Sequence, residues 1–493
     1  MKQTGRGQIY LPSWSKGLKM DDHPHKSAGN ETLATVQARA DSASGQEPYE
    51  RIGISSKMRK SWFRFKRRPK VILIHPPFVK DPQNPTTHDC LTIHGLGLMI
   101  SHARRMGYEI PLIDNRRLND WNLFKDRLSD SGADIIGIGC TTSDYDQARK
   151  CVHLAKQVLP KAKIILGGPH PSLATNDVAS NQEIDHILIG DGEITWIDLI
   201  DAIHRGYSPK RIIYGQRPIL DGMPFVDRDI FEAKEHLMPP IWFGSPPWVS
   251  MITSRGCLFN CLFCAPASRI MFGKKVRRRS PVHVIEELKV LREKYSFSHV
   301  RFYDDNIIED EDWTLEFCDL YRKNDFSATF GIAGRADLIC KRERLIAKLA
   351  EAGLIELNIG FESGSQRILD FLNKRTTVEQ NISSAEILRK YEVKIIVSVM
   401  FGIPGETRED VRKTIELIDT VQPDWVDPSL LTPYPGTGIY EYCQERDINL
   451  AHDGEAFKRH PGSLPKIKGI DYDFAVKALG NRAGPRENWT KNR

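Results

Sequence analysis

From Val71 onward, short apolar runs alternate with longer amphipathic stretches. VILIHPP (71–77), EIPLID (109–114), DIIGIG (134–139), KIILGG (163–168) and HILIGDGE (186–193) read as buried strands that end in polar or glycine loops. Helical periodicity fills the gaps over 91–106, near 119–129 and over 144–158. Such alternation predicts an α/β fold, with residues 70–215 as a doubly wound, Rossmann-like parallel sheet. A second series begins at Trp248: WVSMIT, HVRFYD (299–304), ATFGIAG (328–334), IELNIG (355–360), KIIVSVMFG (394–402) and WVDPSLL (425–431). Helical stretches separate these strands at 281–295, 311–324, 341–352, 365–373, 378–391 and 407–421. Six β-α units over 248–440 predict a partial (β/α)6 TIM-type barrel, whose ligands sit at the C-terminal ends of the strands.

The flanks lack this texture. Residues 1–69 are rich in Ser, Gly, Lys and Asp and are read as a disordered, basic extension. Residues 216–247 carry Pro218, Pro224, Pro239, Pro240, Pro246 and Pro247, which predicts a connector running over the surface. Residues 441–493 form a short, basic, weakly periodic tail.

Composition narrows the class. The 493 residues are 40% hydrophobic and 27% charged, which suits a globular chain with a large core. No apolar run reaches the roughly 18 residues of a membrane span. The N-terminus shows no secretory core segment, so a cytoplasmic location is expected. A net charge of +6 is modest for this length and does not argue for nucleic acid. Two local basic runs stand out. KMRKSWFRFKRRPK (57–70) reads as a solvated linker or a contact for an anionic surface. Lys274, Lys275, Arg277, Arg278 and Arg279 read as a solvated helix approach or a contact for an anionic substrate.

The strongest chemical signal is SRGCLFNCLFCAP, just after the first strand of the second series. Cys257, Cys261 and Cys264 are spaced C-x₃-C-x₂-C and can hold three corners of a [4Fe–4S] cube. No fourth ligand follows nearby, which leaves one iron open. The spacing alone also allows three unrelated buried cysteines, or a zinc site with a distant fourth ligand. Nine cysteines with three in one motif fit a reducing compartment better than a disulfide scaffold. Further polar or glycine loops end the later strands: Asp304-Asp305-Asn306, Arg335, GFESGS with Glu362, and GIPGET with Gly405. In the first domain the corresponding loops contain Thr141 and Ser143, Gly167 and Gly168, and Gly190 and Glu193. They line one crevice of an open parallel sheet, although the G-x-G-x-x-G fingerprint is absent.

CLFNCLFC, Asp304-Asp305-Asn306, Glu362 in GFESGS and GIPGET resemble the motifs of radical SAM enzymes over residues 248–440. The run GGPHPS followed by GDGE resembles the cobalamin-binding domain that precedes the barrel in one large branch of that superfamily. The resemblance implies three cofactors: a [4Fe–4S] cluster on Cys257, Cys261 and Cys264, S-adenosylmethionine on its open iron, and cobalamin in the first domain. It implies that Glu362 accepts hydrogen bonds from the ribose and that Arg335 pairs with the methionyl carboxylate. YDDN stands where the family carries Gly-Gly-Glu, so Asp304 and Asp305 are candidates for the amino group. Thr141, Ser143, Gly167, Gly168, Gly190 and Glu193 are candidates for cobalamin, and Gly405 for S-adenosylmethionine. The Asp-x-His-x-x-Gly motif is missing, and His170, set between two prolines, reads as a turn residue. The implied activity is methylation of an unactivated carbon of a small molecule. An external electron donor such as flavodoxin or ferredoxin would supply the cluster. A cobalamin-dependent cyclisation, a tRNA methylthiotransferase using Cys90, Cys140 and Cys151, and a non-enzymatic cobalamin binder are the alternatives.

Overall fold

The computed structural model describes residues 67–77, 91–118, 120–231, 242–264, 267–448, 467 and 469–488. Most of the 57–70 basic run and Cys90 therefore lie outside the described residues.

Six strands make the first sheet: β1 (Val71–His75), β2 (Leu112–Asp114), β3 (Ile135–Gly139), β4 (Lys163–Gly167), β5 (His186–Ile189) and β6 (Ile212–Tyr214). All pair in parallel, in the order β2-β1-β3-β4-β5-β6. Both faces are covered, as an all-parallel sheet requires. Ile72, Ile74, Ile136 and Ile138 enter the core on one side, and Val71, Leu73, Ile135 and Ile165 enter the core on the other. That two-sided burial explains why these strands read as unbroken apolar runs. The covering helices are α1 (His94–Arg105), α2 (Trp121–Ser131), α3 (Tyr145–Val158), α4 (Pro169–Leu173) and α5 (Glu193–His204). The order reverses between β1 and β3, and a crevice for ligands opens at the carboxyl edge of such a switch point.

The second sheet has the parallel order β7 (Trp248–Met251), β10 (His299–Phe302), β11 (Thr329–Gly334), β12 (Leu354–Glu362), β13 (Lys394–Phe401) and β14 (Trp425–Leu430). Each strand pairs with the next, and β7 does not pair with β14, which gives the open six-unit barrel. Its helices start where the sequence supplies caps. Ser280 caps the helix Pro281–Tyr295, with Pro281 at the first helical position. Thr377 with Gln380, and Thr407 with Asp410, form capping boxes at Val378–Lys390 and Arg408–Val421. A short antiparallel ribbon, β8 (Ser254–Arg255) with β9 (Arg277–Arg278), brackets the cysteine loop and the helix Ala267–Phe272.

Two expectations change. Part of the connector is buried: among its described residues Leu220, Met223, Arg228 and Phe231 are buried, while Ile219 and residues 244–246 are exposed, because apolar residues are interleaved with its prolines. Described parts of the tail belong to the barrel. Tyr472, Ala475 and Leu479 from the helix Tyr472–Leu479 join its core, and Gly484–Pro485 pairs antiparallel with β14. An eight-residue helix and a two-residue strand are too short to show a period in sequence.

Candidate active site between the crevice and the barrel mouth

The cysteine loop follows β7 and β8 at the carboxyl end of the barrel. Its backbone is tied from several sides. Leu262 N–H donates to Leu372 O at 2.8 Å, Asn373 Nδ2 donates to Asn260 O at 2.7 Å, and Ile439 N–H donates to Leu262 O at 3.0 Å. Cys261 is buried, Cys257 partly buried and Cys264 exposed. Among the described residues no three His, Cys, Asp or Glu side chains converge on a single ion. Arg335 Nη1 lies 3.6 Å from Cys261 Sγ, a contact that a thiolate would strengthen.

Arg335 begins the helix Ala336–Lys341. Its guanidinium stacks 3.6 Å from the Phe259 ring, and Nη2 donates to Lys374 O at 2.6 Å. Nε donates to Asp337 Oδ1 at 2.9 Å. The arginine thus fastens the cysteine loop to the next strand-end loops. Glu362 ends β12 with φ +64°, a left-handed conformation unusual for glutamate. Its buried carboxylate accepts from Lys374 Nζ at 2.7 Å. It does not cap the helix Gln366–Phe371, whose N-cap is Ser365. A Cβ on Gly360 would stand 2.3 Å from Glu362 Oε1, so only glycine leaves room for this pair. Lys374 was not singled out from sequence, because FLNKRT reads as a plain helix end.

Asp304 and Asp305 part company. Asp304 is buried and accepts from Thr253 N–H, Thr253 Oγ1 and Ser254 Oγ, so it ties β10 to the start of the cysteine loop. Asp305 lines the cavity described below and has no hydrogen-bond donor among the described residues. Desolvation at the cavity wall, with Asp304 alongside, raises its carboxyl to about 6 although the residue keeps an exposed face. Gly405 adopts φ +77° in its turn, and a Cβ there would meet nothing within 4 Å.

In the first domain the loops after β3, β4 and β5 border a cavity of about 410 Å³. Thr141, Gly167, Gly168, Gly190 and Glu193 line it, together with Ser254, Arg255, Gly256 and Asp305 from the barrel. The crevice and the barrel mouth therefore share one cavity. Gly168 has φ +109°, and a Cβ there would approach Cys140 O to 2.6 Å. Ser143 does not line the cavity; it pairs with Thr141 Oγ1 at 2.8 Å. Asp144 is on the wall, and its Oδ2 is buried without a hydrogen-bond partner among the described residues. Burial, tempered by hydrogen bonds from Thr141, raises its carboxyl to about 7. An acceptor waiting in an apolar wall suits a corrin, whose rim carries amide side chains. His170 is absent from this wall. It stacks on Tyr145 at 3.9 Å, and its ring nitrogens meet Thr142 Oγ1 and Asp177 Oδ2. Cys140 and Cys151 are buried in the core of this domain.

The basic run after the cysteine loop is neither solvated nor open to an anion at its arginines. Arg277 pairs with Asp191 at 2.6 Å, Arg278 with Glu309 at 2.8 Å, and Arg279 with Glu287 at 2.6 Å. Lys274 and Lys275 are exposed. Glu193 pairs with Arg255 at 2.5 Å. Burial pushes the Glu193 carboxyl up, and Arg255 more than reverses that, leaving it below the usual carboxylate range.

An open βα barrel with three cysteines at its mouth thus faces the crevice of a doubly wound parallel sheet, an arrangement of two α/β units around one cavity. The sequence profile of the radical SAM superfamily matches residues 251–418, and that of the B12 binding domain matches residues 92–200. An uncharacterized methyltransferase of Pyrococcus horikoshii is 30% identical over 64% of this chain and 71% of its own length. An anaerobic magnesium-protoporphyrin IX monomethyl ester cyclase of Rubrivivax gelatinosus is 26% identical over 70% of this chain and 64% of its own. The structure of the radical S-adenosylmethionine methyltransferase TsrM from Kitasatospora setae, with cobalamin and a [4Fe–4S] cluster bound, shares the fold. Its TM-score is 0.64 at 16% identity, covering 84% of this chain and 92% of that one. The chain belongs to the cobalamin-binding branch of the radical SAM superfamily. Its cofactors are a [4Fe–4S] cluster, S-adenosylmethionine and cobalamin. No helix among the described residues is long and apolar enough to cross a membrane.

Proposed function

We propose that this enzyme moves a methyl group from S-adenosylmethionine to an unactivated carbon of a small-molecule substrate, with cobalamin as the methyl carrier. The observation that carries this reading is the single cavity walled by the crevice of the first domain and by the barrel mouth. A carrier seated in the crevice would face the place where S-adenosylmethionine is cleaved. When bound, the cluster supplies the electron for that cleavage and cobalamin supplies the methyl-transfer chemistry. Cys257, Cys261 and Cys264 would hold the cluster, and Arg335 would steady the Cys261 thiolate. Glu362, held in place by Lys374, would accept from the ribose hydroxyls. Asp305 is the better placed of the two aspartates for the amino group, since Asp304 already binds Thr253 and Ser254. Gly405 would allow close approach of the methionyl or adenine part. Thr141, Gly167, Gly168, Gly190 and Asp144 would meet cobalamin. The electron would come from a flavodoxin- or ferredoxin-type donor.

Cyclisation without methyl transfer is the second reading, supported by the cyclase relative. One experiment separates them. Protein reconstituted anaerobically with iron, sulfide and cobalamin is incubated with cell extract and methyl-labelled S-adenosylmethionine, and the products are weighed by mass spectrometry. Methyl transfer predicts a product that carries the labelled methyl group. A product that gains a ring and no label overturns it in favour of cyclisation.

A further inference from the structure

The sequence Ser254-Arg255-Gly256-Cys257 enters the cysteine loop through β8, a strand of two residues. Its partner β9 also has two, with Arg255 opposite Arg277. A ribbon this short has no stability of its own, and two like charges placed opposite each other weaken it further. The compensation comes from the other domain. Asp191 accepts from Arg255 and from Arg277, and Glu193 accepts a second bond from Arg255. The Asp191 and Glu193 side chains are only 1% and 4% exposed, so neither can shed its charge into water. Two arginines and two carboxylates make a neutral quartet across the domain junction. Apolar residues would hold such a junction at least as firmly, so an ionic quartet is better suited to fixing its register than to adding strength. The same loop comes close at Gly190, where a Cβ would lie 3.5 Å from Met271 O in the segment beyond the cysteines.

We propose that Arg255 and Arg277, paired with Asp191 and Glu193, are positioning residues that lock the cysteine loop to the crevice of the first domain and so set the geometry between cluster and cobalamin. Arg255 stands two residues before Cys257, while its partners stand on the cavity wall. A displacement of either domain is therefore carried directly to the loop. The consequence for the cofactors rests on the function proposed above, whereas the link between crevice and loop does not.

The test uses the full chain. Amide hydrogen exchange is first compared without cofactors between the natural protein and Arg255→Gln. The expected result is that residues 254–257 and 277–278 exchange about tenfold faster in the variant, while strand β3 keeps its protection. An unchanged rate over 254–257 overturns the proposal. If β3 also loses protection, Arg255→Lys, which keeps the charge and loses the forked geometry, carries the same comparison with the same overturning result. Both proteins are then reconstituted with iron, sulfide and cobalamin, and paramagnetic resonance measures the magnetic coupling between the reduced cluster and cob(II)alamin. A merely local stabilising role leaves that coupling unchanged and overturns the positioning role; a weakened or scattered coupling supports it. If the natural protein takes up no cobalamin, the proposed function fails while the exchange comparison still decides the link.

Discussion

Lys374 Nζ lies 2.7 Å from Glu362 Oε1, and both side chains are buried at the end of the fourth barrel strand. A left-handed glutamate costs backbone energy that the local chain does not repay, so the surroundings must hold it there. Lys374 does so through its side chain, and its carbonyl accepts from Arg335, which reaches Cys261. The proposed ribose ligand and the cysteine loop are thus parts of one connected cluster of side chains.

Replacing Glu362 by Ala removes a charged hydrogen-bond partner, a loss of roughly 1.5–3 kcal/mol. S-adenosylmethionine should bind about one to two orders of magnitude more weakly, with the iron content of the protein unchanged. Gly360→Ala should give the same weakening with every charge retained, since its Cβ would displace the Glu362 carboxylate. Calorimetric titration with S-adenosylmethionine on cluster-loaded protein checks both. Natural affinity in Glu362→Ala would sink the assignment.

What could be read in the sequence was whatever rests on local period or spacing. VILIH and KIIVSVMF are buried on both faces and announce themselves as apolar runs. The three cysteines are close enough in sequence to carry their meaning without a fold. What stayed hidden depends on distant partners. Arg255 and Asp191 are 64 residues apart, and nothing in GDGE or SRGC says that they pair. Arg277, Arg278 and Arg279 looked like a solvated run, because their carboxylate partners come from three separate segments. The prolines of the connector signalled a surface path, while the burial of Phe231 depends on packing against the first domain.

The triple variant Cys257→Ala, Cys261→Ala, Cys264→Ala should lose the iron–sulfur absorbance and all reductive cleavage of S-adenosylmethionine. Cobalamin binding should survive, because the walls of the crevice in the first domain do not include these thiols. A [4Fe–4S] signal retained by the variant would move the cluster elsewhere.

Cobalamin bound in the crevice should have no histidine below cobalt. His170 is engaged with Thr142, Asp177 and the Tyr145 ring, away from the cavity wall. Paramagnetic resonance of the cob(II)alamin form should therefore show no nitrogen superhyperfine splitting, and His170→Ala should leave the spectrum unaltered. Splitting that disappears in that variant would identify His170 as the ligand.

Glu406 should contribute a loss of stability as the pH rises toward neutrality, against the gain from the buried His75 and His299, whose ring pKa values are lowered to about 4 mainly by burial. Burial raises its carboxyl to about 7, partly offset by backbone hydrogen bonds from Gly402 and Ile403. The folded chain therefore binds this proton more tightly than the unfolded chain, where the group titrates near its ordinary value of 4.5. The resulting stabilisation is fully present below the unfolded value and is lost as the pH passes through about 7. A shift of this size corresponds to about 3 kcal/mol. Asp144, raised to about 7 from 3.8, acts in the same direction. Glu406→Gln keeps an acceptor for Gly402 N–H, which the carboxylate now binds at 2.7 Å, and removes the titration. Urea unfolding of cofactor-free protein at about pH 5 and about pH 8 gives the comparison. Going from the lower to the higher pH, the natural chain should fare worse than Glu406→Gln, since only the natural chain loses the Glu406 contribution. Equal changes in the two proteins would show that the Glu406 carboxylate is already ionised in the folded state at about pH 5.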